Sequence, residues 1–235
     1  MLAGLAVLAS ANGLTARAEN APPAMNHVVL LGDSIFDNKA YVGDGPDVIA
    51  QLDETLPVGW RTTLAAIDGS VTNDIKRQLA GLPDVASHLM ISAGGNDALG
   101  RTDFIEKSAS SVAEVLGELS KIRAEFAKSY VSMLDAATRK KLPTAVCTIY
   151  ESNYDDPDAR RIANTGLTVF NDIITREAFK RGLPLIDLRL IFDDRADYAN
   201  PIEPSVQGGA KLAKVIAEVV TTHDFAMKRS EVYVG

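Results

Sequence analysis

Short, dense apolar runs alternate with longer segments in which apolar residues recur every third or fourth position. The runs occupy residues 27–31, 63–67, 88–93, 144–150 and 185–188. None alternates cleanly between apolar and polar along its whole length. That is the pattern of a strand buried on both faces, as in a parallel sheet. Helical patterns lie between the runs. Val48, Ile49 and Leu52 mark one, ahead of Leu56 and Pro57, and Ile75 and Leu79 mark a short one ending near Gly81 and Pro83. Val112, Val115, Leu116, Leu119, Ile122 and Phe126 form a stripe along a longer segment. Ile162, Phe170, Ile173 and Ile174 mark the next, stopped near Gly182 and Pro184, and Leu212, Val215, Ile216 and Val219 mark the last. This order predicts right-handed crossovers with helices on both sides of the sheet. No linker rich in proline, glycine or serine divides residues 25–235, and no internal repeat is present. The expectation is α/β: one three-layer α/β/α sandwich around a five-stranded parallel sheet.

In an open sheet of this kind, ligands bind beyond the carboxyl ends of the strands. Ser34, Gly69, Asn96 and Glu203 each fall after a candidate strand, which puts all four on one rim. Ser34 ends Gly32-Asp33-Ser34, where a sharp turn presents the hydroxyl together with its own N–H, as a nucleophile and oxyanion donor require. A plain helix-capping serine reads alike. Gly69, after Asp68, permits close backbone approach and supplies a second N–H, although an ordinary turn also uses glycine. Gly94-Gly95-Asn96-Asp97 makes a tight turn that aims the Asn96 amide into the cleft as a third donor, with Asp97 in a structural role. An ordinary Gly-Asn turn has the same composition.

Taken together, these segments resemble the blocks of the GDSL, or SGNH, hydrolase family. The resemblance runs from about residue 27 to 217. It implies the flavodoxin-like SGNH fold, hydrolysis of carboxylic esters or related acyl bonds, and no metal or organic cofactor. By it, Ser34 is the nucleophile, and the Ser34 N–H, Gly69 N–H and Asn96 side chain form the oxyanion hole. The fourth block departs from the family pattern of Asp, two residues, then His before a Pro-Ser-like helix entry. Pro204, Ser205 and Gly208 are in place, but Asn200 and Glu203 occupy the Asp and His positions. His27 and His88 begin strands and belong to the opposite rim, and His223 falls near the end of the last helix. Glu203 is therefore the expected general base, as in serine-carboxyl peptidases, where a glutamate stands beside the serine. A glutamate base passes from anion to neutral acid, so a neutral Asn200 is consistent with it. It needs a pKa raised by burial or by a neighbouring carboxylate. Asp37 is a further candidate base. The alternative on the same fold is a catalytically weak or inactive protein that binds an acyl or carbohydrate group. A dinucleotide site is not indicated, because no G-x-G-x-x-G follows a strand and Gly43-Asp44-Gly45 sits in a loop.

Composition narrows the partners. A chain of 235 residues, 46% hydrophobic and 23% charged, can bury a full core without staples. The net charge of −7, from 31 acidic and 24 basic residues, and the lack of a basic stripe argue against nucleic acid and anionic membranes. The expected partner is a small-molecule or glycan-linked acyl ester. Oligomeric state is not written in the pattern. The single cysteine, Cys147, excludes an intramolecular disulfide and sits in an apolar run as a buried small hydrophobe. Residues 1–24 combine an apolar stretch from Leu2 to Leu8 with a small-x-small Ala16-Arg17-Ala18, but lack a basic n-region. They are expected to be a signal peptide or an N-terminal extension, too short in apolar length to span a bilayer. Export to the periplasm or beyond follows from the first reading and a cytoplasmic location from the second.

Overall fold

The structure, a computed structural model, describes residues 26–235, so the expected leader at residues 1–24 lies outside the described residues. Six parallel strands form one sheet: β1 (His27–Gly32), β2 (Arg61–Leu64), β3 (His88–Ser92), β4 (Thr144–Cys147), β5 (Leu185–Ile186) and β6 (Val232–Tyr233). Their spatial order is β2-β1-β3-β4-β5-β6. The sheet thus has one strand more than the five expected. β6 is a two-residue edge strand, in register with β5 through Leu185↔Val232 and Ile186↔Tyr233. It is too short to produce a periodic signal.

The dense apolar runs are explained by burial on both faces. Val28 and Leu30 of β1 pack toward α1 (Val48–Thr55) and α7 (Val206–Thr222). Val29 and Leu31 pack toward α2 (Ile75–Ala80), α4 (Val112–Thr138) and α5 (Pro157–Arg181). Each of these four side chains is fully buried. Such burial stabilises by about 1.5–3 kcal/mol per side chain, so a polar replacement in β1 undermines the strand that carries the rim. Cys147 is buried as expected.

Two local departures bear on the site. Gly94-Gly95-Asn96-Asp97 is more than a turn, because Gly95–Leu99 forms a short helix, α3. The run at 185–188 stops as a strand at Ile186, where the Asp187 side chain accepts from Arg189 N and starts α6 (Leu188–Ile191). The long α4 is two-sided only in its second half. Phe126, Tyr130, Met133, Leu134 and Ala137 are buried, whereas Val112 is 75% and Leu116 59% exposed. Among the described residues no helix is long and apolar enough to cross a membrane.

Candidate active site

The turn that carries Ser34 is built by its neighbours. Gly32, the last residue of β1, has φ +150°, and a Cβ there would lie 2.1 Å from the Ser92 carbonyl oxygen, so no side chain fits. Gln78 of α2 clamps its peptide groups: Gly32 N donates to Oε1 and Nε2 donates to Gly32 O, both at 2.8 Å. The Asp33 carbonyl then accepts from Phe36 N at 3.1 Å and Asp37 N at 3.0 Å, which closes the turn. The Asp33 carboxylate accepts from Ile35 N at 3.1 Å. Phe36 is wholly buried and is a core residue. Among the described residues, neither the Ser34 nor the Gly69 backbone N–H donates to another protein group.

Asp68 and Gly69 sit on the loop after β2. Asp68 N donates to Asp37 Oδ2 at 2.9 Å, and Tyr41 Oη donates to Asp68 Oδ2 at 2.7 Å. Asp37 is thereby a loop anchor. Gly69 has φ +77°, a left-handed conformation that favours glycine. Asn96 on α3 donates one amide hydrogen from Nδ2 to the Ser70 carbonyl at 3.0 Å, leaving the other for a ligand. Asp97 has the structural part expected of it, accepting from Thr72 N at 2.8 Å and Thr72 Oγ1 at 2.9 Å. Asn96 and Asp97 together tie the glycine loop to the asparagine segment.

Glu203 reaches the rim by a different route from that expected. It does not directly follow a strand, but lies on the segment between α6 and α7, held by an antiparallel bridge of Tyr198 with Pro204. Asn200 Oδ1 accepts from Ile202 N at 2.9 Å and Glu203 N at 3.0 Å. The fully buried Asn38 donates to Pro204 O at 3.2 Å, and Tyr150 Oη donates to Ile202 O at 2.6 Å. Tyr150 is itself stacked on Phe192 with ring centroids 4.4 Å apart. Ser205 caps α7, accepting from Gln207 N and Gly208 N.

These supports bring the two key side chains into contact. Ser34 Oγ donates to Glu203 Oε1 at 3.1 Å, and both residues are only 6% exposed. Glu203 Oε2 is buried without a partner. Burial pushes the Glu203 carboxyl up to about 7; the Ser34 hydrogen bond opposes this and the nearby Asp68 charge adds to it. Asp33 is also pushed up to about 7 by burial, with the charges of Glu203 and Asp97 adding. The site therefore contains two buried carboxyl groups poised near neutrality. The sequence alone points to no role for the Asp33 carboxyl. Its signal, a charged residue at the buried end of an apolar run, was in view.

Ser34, Asn96 and Glu203 line one cavity of about 430 Å³, and Gly69 stands outside that lining, joined to it through Ser70. The histidines are engaged elsewhere. His27 pairs with Thr63 Oγ1 at 2.7 Å, His88 with Ser87 Oγ at 2.8 Å, and His223 with Glu231 Oε2 at 3.0 Å. Among the described residues, no group of three or more His, Cys, Asp or Glu is arranged to hold a metal ion.

Residues 30–211 match the GDSL-like Lipase/Acylhydrolase family. The chain belongs to that family. Solved structures with the same fold include the extracellular lipase of Streptomyces rimosus, 18% identical with a TM-score of 0.62 over 83% of this chain and 100% of that one. The phospholipase A1 of Streptomyces albidoflavus is 16% identical, with a TM-score of 0.58 over 82% and 99%. The acetyl xylan esterase AlAXEase is 17% identical, with a TM-score of 0.61 over 84% and 100%. These likenesses establish the GDSL-type α/β fold. No curated protein sequence matches this GDSL-like chain significantly.

Proposed function

We propose that the chain is a serine-dependent ester hydrolase in which Ser34 is the nucleophile and Glu203 the general base. The observation that carries the reading is the 3.1 Å hydrogen bond from Ser34 Oγ into a buried carboxylate with raised basicity. Ser34 Oγ attacks the acyl carbon of a small-molecule or glycan-linked ester as its proton passes to Glu203 Oε1. The carbonyl oxygen takes up the electron pair, and the Ser34 N–H, Gly69 N–H and Asn96 Nδ2 are the donors available to it. Glu203, now neutral, returns the proton to the leaving alkoxide as the C–O bond breaks, which leaves an acyl-serine. Water then attacks the acyl group with Glu203 again as base, and Ser34 is regenerated. Charge supports this cycle: the base never becomes a cation, so no anion is needed at position 200. Asn200 instead orients Glu203 through the two backbone N–H groups it accepts.

The test is hydrolysis of p-nitrophenyl acetate together with labelling by a fluorophosphonate probe. Ser34→Ala and Glu203→Gln are each expected to lower kcat by about a thousandfold or more, and the label is expected on Ser34. Wild-type turnover in Glu203→Gln removes Glu203 as base. No label and no turnover in the wild type point to a binding protein on the same fold.

A further inference from the structure

The cavity at Ser34 is sharply divided in character. Asp33, Ser34, Asn96 and Glu203 gather at its reactive end. Beyond them its walls are mainly apolar, with Leu99 and Ile105 following Asn96, Ile122 from α4, and Ile162 and Phe170 from α5, interrupted by Tyr154 and by Thr102, Ser152 and Thr165, whose hydroxyls donate to neighbouring protein oxygens. Ile105 is 50% and Ile162 44% exposed, so apolar surface continues outward from the nucleophile to solvent. The two rim arginines, Arg101 and Arg161, are paired with Glu125 and Asp158. Gly166 also lines the cavity. Beyond the backbone of its own helix and its chain neighbours, a Cβ built on it would meet no atom within 4 Å. Glycine is a poor helix former, yet it stands in the middle of α5 where the cavity passes. A sugar bound against these walls would leave most of its hydroxyls without partners.

We propose that this cavity receives an unbranched hydrocarbon tail on the scissile ester, and that Gly166 keeps the passage open and sets the length of tail accepted. The inference rests on Ser34 being the nucleophile, because it is Ser34 that fixes one end of the tail. The volume lies toward the lower end of the roughly 300–1,000 Å³ of small-ligand pockets, as suits a slender chain. Full burial of each added methylene is worth about fourfold in kcat/KM, until the passage is filled.

Two ester series test it. One lengthens the acyl part, from p-nitrophenyl acetate through butanoate to decanoate. The other lengthens the alcohol part, from ethyl to decyl acetate. A steep rise along one series supports the proposal and identifies which half of the ester enters the cavity; measurable turnover that stays flat along both overturns it. Gly166→Leu fills the open space and is expected to reduce the long-to-short ratio by at least about tenfold. Gly117→Leu makes the same change at a glycine of α4 that also has open space around it and does not line the cavity, and is expected to keep the ratio. An unchanged ratio in Gly166→Leu overturns the assignment. Binding of the fluorescent fatty acid cis-parinaric acid to the Ser34→Ala protein, with and without Gly166→Leu, reads the cavity without turnover. Binding that Gly166→Leu blocks, together with a wild-type chain that hydrolyses no ester of either series, upholds the tail passage and sinks the catalytic reading. No binding to either protein sinks the passage alone.

Discussion

Replacing Glu203 by glutamine exchanges a buried carboxylate for a neutral group of the same shape, and it is expected to remove activity while stabilising the fold. The carboxyl is 6% exposed, and burial raises it from 4.5 to about 7. That gap, about 2.5 pH units, is equivalent to about 3 kcal/mol of folding free energy. The sign follows from proton counts. Between pH 4.5 and about 7 the folded protein keeps a proton that the unfolded chain has released, so stability falls as pH rises across this window. The penalty is absent below the window and complete above it. Glutamine does not titrate, but its amide occupies the unpartnered Oε2 position. A buried donor left unmet costs about 1–3 kcal/mol. The protonated wild-type carboxyl carries a comparable unmet group at low pH. Removing the Glu203 charge also eases the ionisation of Asp33, whose carboxyl that charge helps to hold up. Glu203→Gln is therefore expected to match the wild type near pH 4.5 and to exceed it by about 1–3 kcal/mol at pH 8. Urea unfolding of both proteins at pH 4.5, 6 and 8 measures this. A difference that does not change with pH, or that grows toward acid, refutes the account of Glu203 as a desolvated carboxyl.

Two other predictions follow from the same geometry. The base works ionised, so kcat/KM is expected to rise with pH through about 7; because histidine titrates nearby, temperature decides the assignment, a carboxylate limb staying put on warming and an imidazole limb moving to lower pH. Asn200→Ala removes the acceptor for Ile202 N and Glu203 N and is expected to lower stability by about 1 kcal/mol, as loss of a cap does, and kcat by about tenfold; Asn200→Asp, which keeps the acceptor, is expected to restore both, and an Ala variant with wild-type kcat counts against a positioning role.

The alternation of strands and helices was legible because parallel strands with both faces covered leave unbroken apolar runs, as residues 28–31 do. β6 was not, because two residues following Glu231 have no periodicity to detect. α3 was hidden by glycine, which marks turns more often than helix starts. At the rim, the residue types of Ser34, Asn96 and Glu203 were readable, and so was the departure at Asn200. What linear pattern could not supply was the support for Glu203. That residue is held by Asn38 and Tyr150 from far along the chain, through contacts to backbone carbonyls that any amino acid would present. Such contacts leave no trace at the position they hold.

The Gln78 clamp on Gly32 has one further consequence. A side-chain amide there serves as a substitute strand, meeting the peptide N–H of Gly32 and sharing its C=O with the Ile67 N–H. The hollow above β1 is therefore present in the resting fold with both peptide groups of Gly32 matched. An incoming molecule has nothing to prise apart, and the energy of its arrival remains available for the bond it brings.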